Sequence, residues 1–303
     1  MNNYLSAIVD KKMSDLHLHF RKHINFLIKK VSTPPGLNVL TLVNSLEAEM
    51  INMGCRCAFP TNIAIMPIVA HWTPGPNFKG ILTTCQKSVI VDFGFEYKNQ
   101  IFDTALTYYI GSKKKIKKEY DLVNEKVVNI ILDRVKYGAR LDCIGDDIVA
   151  LCARRGHTIL SELGGHSIDG PVLHGRDPVY HTPMDMTDSQ VGLFRQGLYA
   201  IEPFFILYSR DKTTLEQAKG PIISYTDDKG ITRYHCERWG SLNKDYNSTN
   251  ISVILAPAVE KGLWLQIEHV VRVTKSSTVI LTLENGPVIR HHSHKSAYIS
   301  PNS

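Results

Sequence analysis

The chain lacks any long hydrophobic run and holds little cysteine, and each shortage closes off a class of protein. No stretch of its 303 residues approaches the ~18 consecutive apolar residues that a membrane span needs, so no membrane contact is expected. The six cysteines, at 55, 57, 85, 143, 152 and 236, are too few for a disulfide scaffold in so large a chain. Cys55 and Cys57 form a C-x-C pair, but no further soft ligands lie near them, and small buried thiols are the simpler reading. No short-period repeat is present. Met1 to Leu16 lack the basic, then apolar, then small order of a secretory signal. These absences predict a soluble cytoplasmic protein.

What is present is an ordinary globular balance, 43% hydrophobic and 21% charged, enough for a large core. The net charge of +6 predicts a mildly basic surface. The densest basic run, Lys113-Lys114-Lys115-Ile116-Lys117-Lys118, reads as a solvated loop and helix start. Its functional alternative is transient contact with an RNA surface such as a ribosome, although no aromatic residues interleave with the lysines. No DNA partner is expected. His291, His292 and His294 read as a polar end rather than a metal site.

Apolar spacing predicts helices over 14–30, 38–53, 119–138 and 142–155, with stops at Pro34-Pro35-Gly36, Gly54, Gly138 and Gly156. Strands are predicted over 88–96, 100–110, 198–207, 263–273 and 277–284. The polar stretch 208–256, with turn signals at Gly220-Pro221 and Asp227-Asp228-Lys229-Gly230, reads as an inserted subdomain with at least one hairpin.

Acidic residues stand inside several of these apolar runs. Asp92 and Asp103 flank a turn centred near Tyr97 and Lys98, which would place them opposite each other on one face of a hairpin. Opposed like charges destabilise a strand pair, and a cation between them reverses that sign. Two exposed aspartates near a turn would be the plainer alternative. Glu202 and Glu268 each occupy an apolar strand, where a lone carboxylate is costly without a partner. His166 sits in Gly164-Gly165-His166-Ser167, framed as a ligand, a proton-transfer group or a satisfied core histidine. His71 and His174 could position a carbonyl beside a cation centre. Four carboxylates and one imidazole fit two divalent cations, which points to a two-metal hydrolase.

These motifs resemble the methionine aminopeptidases, in particular the type 2 branch. The similar stretches are Val91-Asp92-Phe93-Gly94 with Ile101-Phe102-Asp103, Gly165-His166-Ser167 with His174, Tyr199-Ala200-Ile201-Glu202, Gln266-Ile267-Glu268-His269, and Ala58-Phe59-Pro60-Thr61 with His71-Trp72-Thr73-Pro74. The resemblance runs from about residue 14 to 275. It implies an α+β pita-bread fold: two pseudo-symmetric halves on a curved, mostly antiparallel sheet, as one catalytic domain over 1–303 carrying the 208–256 insertion. It implies Asp92 on one metal, His166 and Glu202 on the other, and Asp103 and Glu268 bridging both. Glu202 would also take a proton from the water the metals share. His71 and His174 would contact the scissile amide, Phe59 would line the methionine pocket, and His235, in Tyr234-His235, would border it. The metals would be Co, Mn, Fe or Zn, and the substrates nascent polypeptide N-termini, handled by a monomer. The 66-residue connection between Glu202 and Glu268 is short for that branch, and Gly164 replaces a polar residue. The alternatives implied by the same fold are a proline-specific aminopeptidase or creatinase, and a non-catalytic binding protein of the proliferation-associated kind. Asp92-Phe93-Gly94 as a kinase motif fails, because no His-Arg-Asp or glycine-rich phosphate loop accompanies it.

Overall fold

The computed structural model describes residues 3–209, 214–242, 246–256 and 263–292, so His294 lies outside the described residues. The first helix, α1 (Asn3–Ile28), begins well before the predicted residue 14. Its buried stripe of Met13, Leu16, Phe20, Ile24 and Leu27 follows helical spacing. The second, α2 (Val39–Asn52), lies close to the predicted span. The Asn38 side chain caps it, accepting from the Thr41 N–H at 2.9 Å. Both helices share one core with the hairpin Ser88–Tyr97 and Gln100–Tyr109. Phe20 meets Phe93 and Phe95 edge-on there, with ring centroids 6.5 and 5.0 Å apart.

A second core lies under α3 (Lys114–Arg134) and α4 (Gly145–Arg155). The α3 helix starts inside the lysine run and stops short of the predicted Gly138. The start of α4 falls after Asp142, because that carboxylate is engaged by Arg140 at 2.8 Å and by the Met184 N–H at 3.0 Å. Gly156 ends α4 as expected, in the left-handed region at φ 68°.

The predicted long strands 198–207 and 263–273 are each broken. Gly197–Ile201 pairs with His269–Val273 in one sheet, and Phe204–Leu207 pairs with Leu263–Gln266 in another. Glu202-Pro203 and Ile267-Glu268 occupy the breaks. Proline has no N–H for a ladder, and the Pro203 carbonyl instead accepts from the Ile267 N–H at 3.1 Å.

The 208–256 segment supplies three antiparallel strands, Glu216–Thr226, Thr232–Cys236 and Ser248–Leu255. Ser248–Leu255 pairs onward with Ile68–Ala70, so the inserted sheet grows out of the N-terminal half. Asp227 shapes its hairpin turn by accepting from the N–H groups of Lys229 and Ile231, both at 2.9 Å.

Candidate metal centre

The aspartate hairpin turns one residue later than its sequence predicts. Tyr97 pairs with Gln100 around Lys98-Asn99, whose φ values are 50° and 62°. A two-residue hairpin turn of this kind needs positive φ at both positions, and asparagine tolerates it better than tyrosine. Moving the turn by one residue moves the register by two. Asp92 therefore faces Ala105, and Asp103 faces Gly94. The aspartates are diagonal neighbours on one face, not the opposed pair expected. Gly94 fits this place because a Cβ there would collide with the Phe59 ring.

Glu268 joins them from its strand break. One carboxylate oxygen from each of Asp92, Asp103 and Glu268 lies within 4.8 Å of the other two. At an effective dielectric constant near 20, each such pair of ionised groups repels by about 3 kcal/mol. Three pairs approach the whole stability of an ordinary domain, ~5–15 kcal/mol. Burial first, and the neighbouring carboxylates second, push Asp92, Glu202 and Glu268 well above the usual carboxylate range. His166 closes the other side, with Nε2 at 3.4 Å from Asp103 Oδ2 and 3.6 Å from Glu202 Oε1. Its Nδ1 lies 3.1 Å from the Ser167 carbonyl, which can only accept. Nδ1 therefore carries the proton, and the Nε2 lone pair is turned toward the carboxylates.

Among the described residues, Oδ1 of Asp92, Oδ1 of Asp103 and Oε1 of Glu268 are buried without a hydrogen-bond partner. Buried acceptors left in this state are costly. A set of hard oxygens and one imidazole suits divalent cations of the Mn, Fe, Co or Zn type. The residues present thus fit the metal that the sequence pattern implies.

The carboxylates form part of the wall of a cavity of about 420 Å³. Phe59, Leu173, Phe204, Ile222 and Ile251 give it an apolar side. His71 and His174 also line it. Burial lowers the His71 pKa, and it holds a positive φ of 63°, rare for a residue with a side chain. The His174 ring is open to the cavity on one side. Surrounding atoms first, and His166 second, push its pKa down to about 4. Both imidazoles are neutral at pH 7.

His235 is not part of this wall. Neighbouring residues of a strand face opposite sides, and in Thr232–Cys236 it is Tyr234 that faces the cavity. His235 Nε2 instead lies 2.7 Å from the Gly240 carbonyl. Three residues that hydrogen-bond these groups went unread in the sequence. Asn62 donates to Asp92 Oδ2 at 3.2 Å. Gln266 donates to Glu268 Oε2 at 3.1 Å and to Glu202 Oε2 at 3.4 Å. Tyr234 Oη meets His174 Nδ1 at 2.8 Å. Only Gln266 carried a signal: it stands two residues before Glu268, the spacing of residues on one strand face.

Metallopeptidase family M24 matches residues 11–275, a span that holds every side chain of the cavity wall. Methionine aminopeptidase of Pyrococcus abyssi (strain GE5 / Orsay) is 29% identical over 176 residues, 56% of this chain and 56% of that protein. Methionine aminopeptidase 2 of Dictyostelium discoideum is 30% identical over 213 residues, 64% of this chain and 45% of that protein. The chain thus spans about half the length of these relatives. In fold, it is similar to the crystal structure of methionine aminopeptidase from Rickettsia prowazekii, with a TM-score of 0.65 and 18% identity over 93% of this chain and 99% of that one. The architecture is the expected pita-bread fold. With the four carboxylates and His166 converging inside the matched span, the chain belongs to metallopeptidase family M24.

Proposed function

We propose that this chain is a type 2 methionine aminopeptidase that removes the first methionine from nascent polypeptides, using two divalent cations. The observation that carries the reading is the convergence of Asp92, Asp103, His166, Glu202 and Glu268 beside an apolar recess. Asp92 would serve one cation and His166 with Glu202 the other, with Asp103 and Glu268 shared. When bound, such cations supply the positive charge that acidifies water and polarises a carbonyl. Glu202 takes the proton of the attacking water, since its carboxylate faces the cavity beside His166. The neutral imidazoles of His71 and His174 hold the scissile peptide bond and stabilise the oxygen that gains charge. Phe59 and its apolar neighbours receive the methionine side chain. The exposed lysines at the start of α3 offer the chain a transient contact with ribosomal RNA in the cytoplasm.

A non-catalytic binding protein of the same fold would have no use for orphaned, mutually repelling carboxylates, and here all five candidate ligands and both histidines are present. The test is a metal-dependent assay on Met-Ala-Ser and Met-Lys-Ser peptides. Methionine released from the first and not the second supports the reading. Release from neither, in metal-loaded protein, refutes it.

A further inference from the structure

Both histidines over the carboxylates are gripped by the inserted sheet, and each is gripped at the same ring atom. His71 follows directly on Ile68–Ala70, the strand to which that sheet is joined, and its Nδ1 lies 3.2 Å from the Ser252 carbonyl. A carbonyl only accepts, so His71 Nδ1 carries the proton and its Nε2 is left as an acceptor. His174 Nδ1 lies 2.8 Å from Tyr234 Oη, on the inserted strand Thr232–Cys236. A phenol can donate or accept, so this contact alone allows either tautomer of His174.

The peptide bond decides between them. It offers one N–H donor and one carbonyl acceptor. His71 presents an acceptor, which suits the N–H. The carbonyl then needs a donor, and His174 supplies one only if its proton sits on Nε2. Its Nδ1 must therefore accept, and Tyr234 must donate. We propose that Tyr234 is a positioning residue: its hydroxyl donates to His174 Nδ1 and fixes the Nε2–H tautomer that a substrate carbonyl requires. This rests on the aminopeptidase reading for the identity of the substrate bond, but the tautomer itself is a property of the protein.

The strand that carries Tyr234 is anchored well enough for this task. Next to it, the buried Arg233 reaches Glu96 at 2.7 Å, on the same hairpin that carries Asp92 and Asp103, and Asp227 at 3.0 Å. Beyond it, Arg238 and Trp239 both bind the buried Glu47 of α2, the indole N–H at 2.7 Å. The insertion is thereby tied to the helices and to the aspartate hairpin, and Tyr234 is held in one place relative to the carboxylates. Phenylalanine at 234 would keep the ring, which meets His174 edge-on at 6.0 Å, and lose only the proton donor.

The test is long-range imidazole ¹⁵N–¹H correlation NMR on zinc-loaded full-length protein, with His174 assigned through His174→Gln. The expected wild-type spectrum shows His174 as the Nε2–H tautomer. In Tyr234→Phe, with metal content and melting temperature unchanged, the signals move toward a tautomer mixture, and kcat falls about tenfold with KM within twofold. A wild-type His174 protonated at Nδ1 overturns the proposal. So does a Tyr234→Phe protein with unchanged tautomer and unchanged kcat. If no peptide is cleaved but the tautomer is Nε2–H and depends on Tyr234, the positioning role stands and the aminopeptidase reading fails.

Discussion

Asp92 and Asp103 come from a hairpin whose two ten-residue strands run unbroken, whereas Glu202 and Glu268 stand where two longer strands break and change sheets. The short carboxylates need a backbone that passes close to the centre, and a continuous ladder with Gly94 opposite Asp103 provides it. The longer carboxylates reach inward from positions where the ladder has let go. Gln266 then ties them together from a position on its own strand. The hairpin half is set by local turn chemistry and alternation. The glutamate half is set by which sheet each strand segment joins, a tertiary decision.

The contrast can be broken by removing charge from each half. Asp103→Asn should abolish turnover, by a thousandfold or more, and lower bound metal measured by mass spectrometry. In chelator it should raise the melting temperature, because one of three mutually repelling groups is gone. A variant that melts lower in chelator and keeps its metal would contradict the shared role. Glu202→Gln, in the other half, should cut kcat by on the order of a hundredfold while metal stays bound, as expected for loss of a proton acceptor. Near-normal kcat would remove Glu202 from proton transfer.

Behind the centre, two buried histidines, His269 and His17, are also treated differently. His269 is paired, with Nδ1 2.9 Å from Thr282 Oγ1 and Nε2 3.0 Å from Asn124 Oδ1. His17, stacked on Phe93 behind the aspartates, has no partner at either nitrogen among the described residues. Burial first, and Arg21 second, push the His17 pKa to about 3. Its folded pKa lies below the unfolded one, so stability is full above about pH 6.5 and is lost as pH falls toward 3. The expected loss from this group is on the order of 2 kcal/mol at pH 5. Urea denaturation of wild type and His17→Leu at pH 7 and pH 5 checks it. An equal pH slope in both proteins would rule the group out. The smallest expected effect is at the hairpin turn. Asn99→Val, which forces a β-branched residue to positive φ, should cost about 1–2 kcal/mol in the same titration and leave metal content unchanged.

The same contrast explains what could be read without coordinates. The order of motifs around Asp92, Asp103, His166, Glu202 and Glu268 was legible because costly carboxylates in apolar strands stand out against their surroundings. The exact pairing of the aspartates was not, because one residue of turn placement moves the register by two. The breaks at Glu202 and Glu268 were invisible in apolar runs that read as continuous strands. Tyr234 and Asn62 were missed because their partners lie 60 and 30 residues away in sequence. His235 is what the resemblance implies, but strand alternation puts only one of the two neighbours on the cavity side, and that one is Tyr234.

Whether these five side chains hold metal is read directly by anomalous diffraction from manganese-loaded crystals. The predicted result is two anomalous peaks among the carboxylates of Asp92, Asp103, Glu202 and Glu268 and the ring of His166, absent from Asp103→Asn crystals grown the same way. A map with no peak at those side chains, collected on protein soaked in saturating manganese, would contradict it.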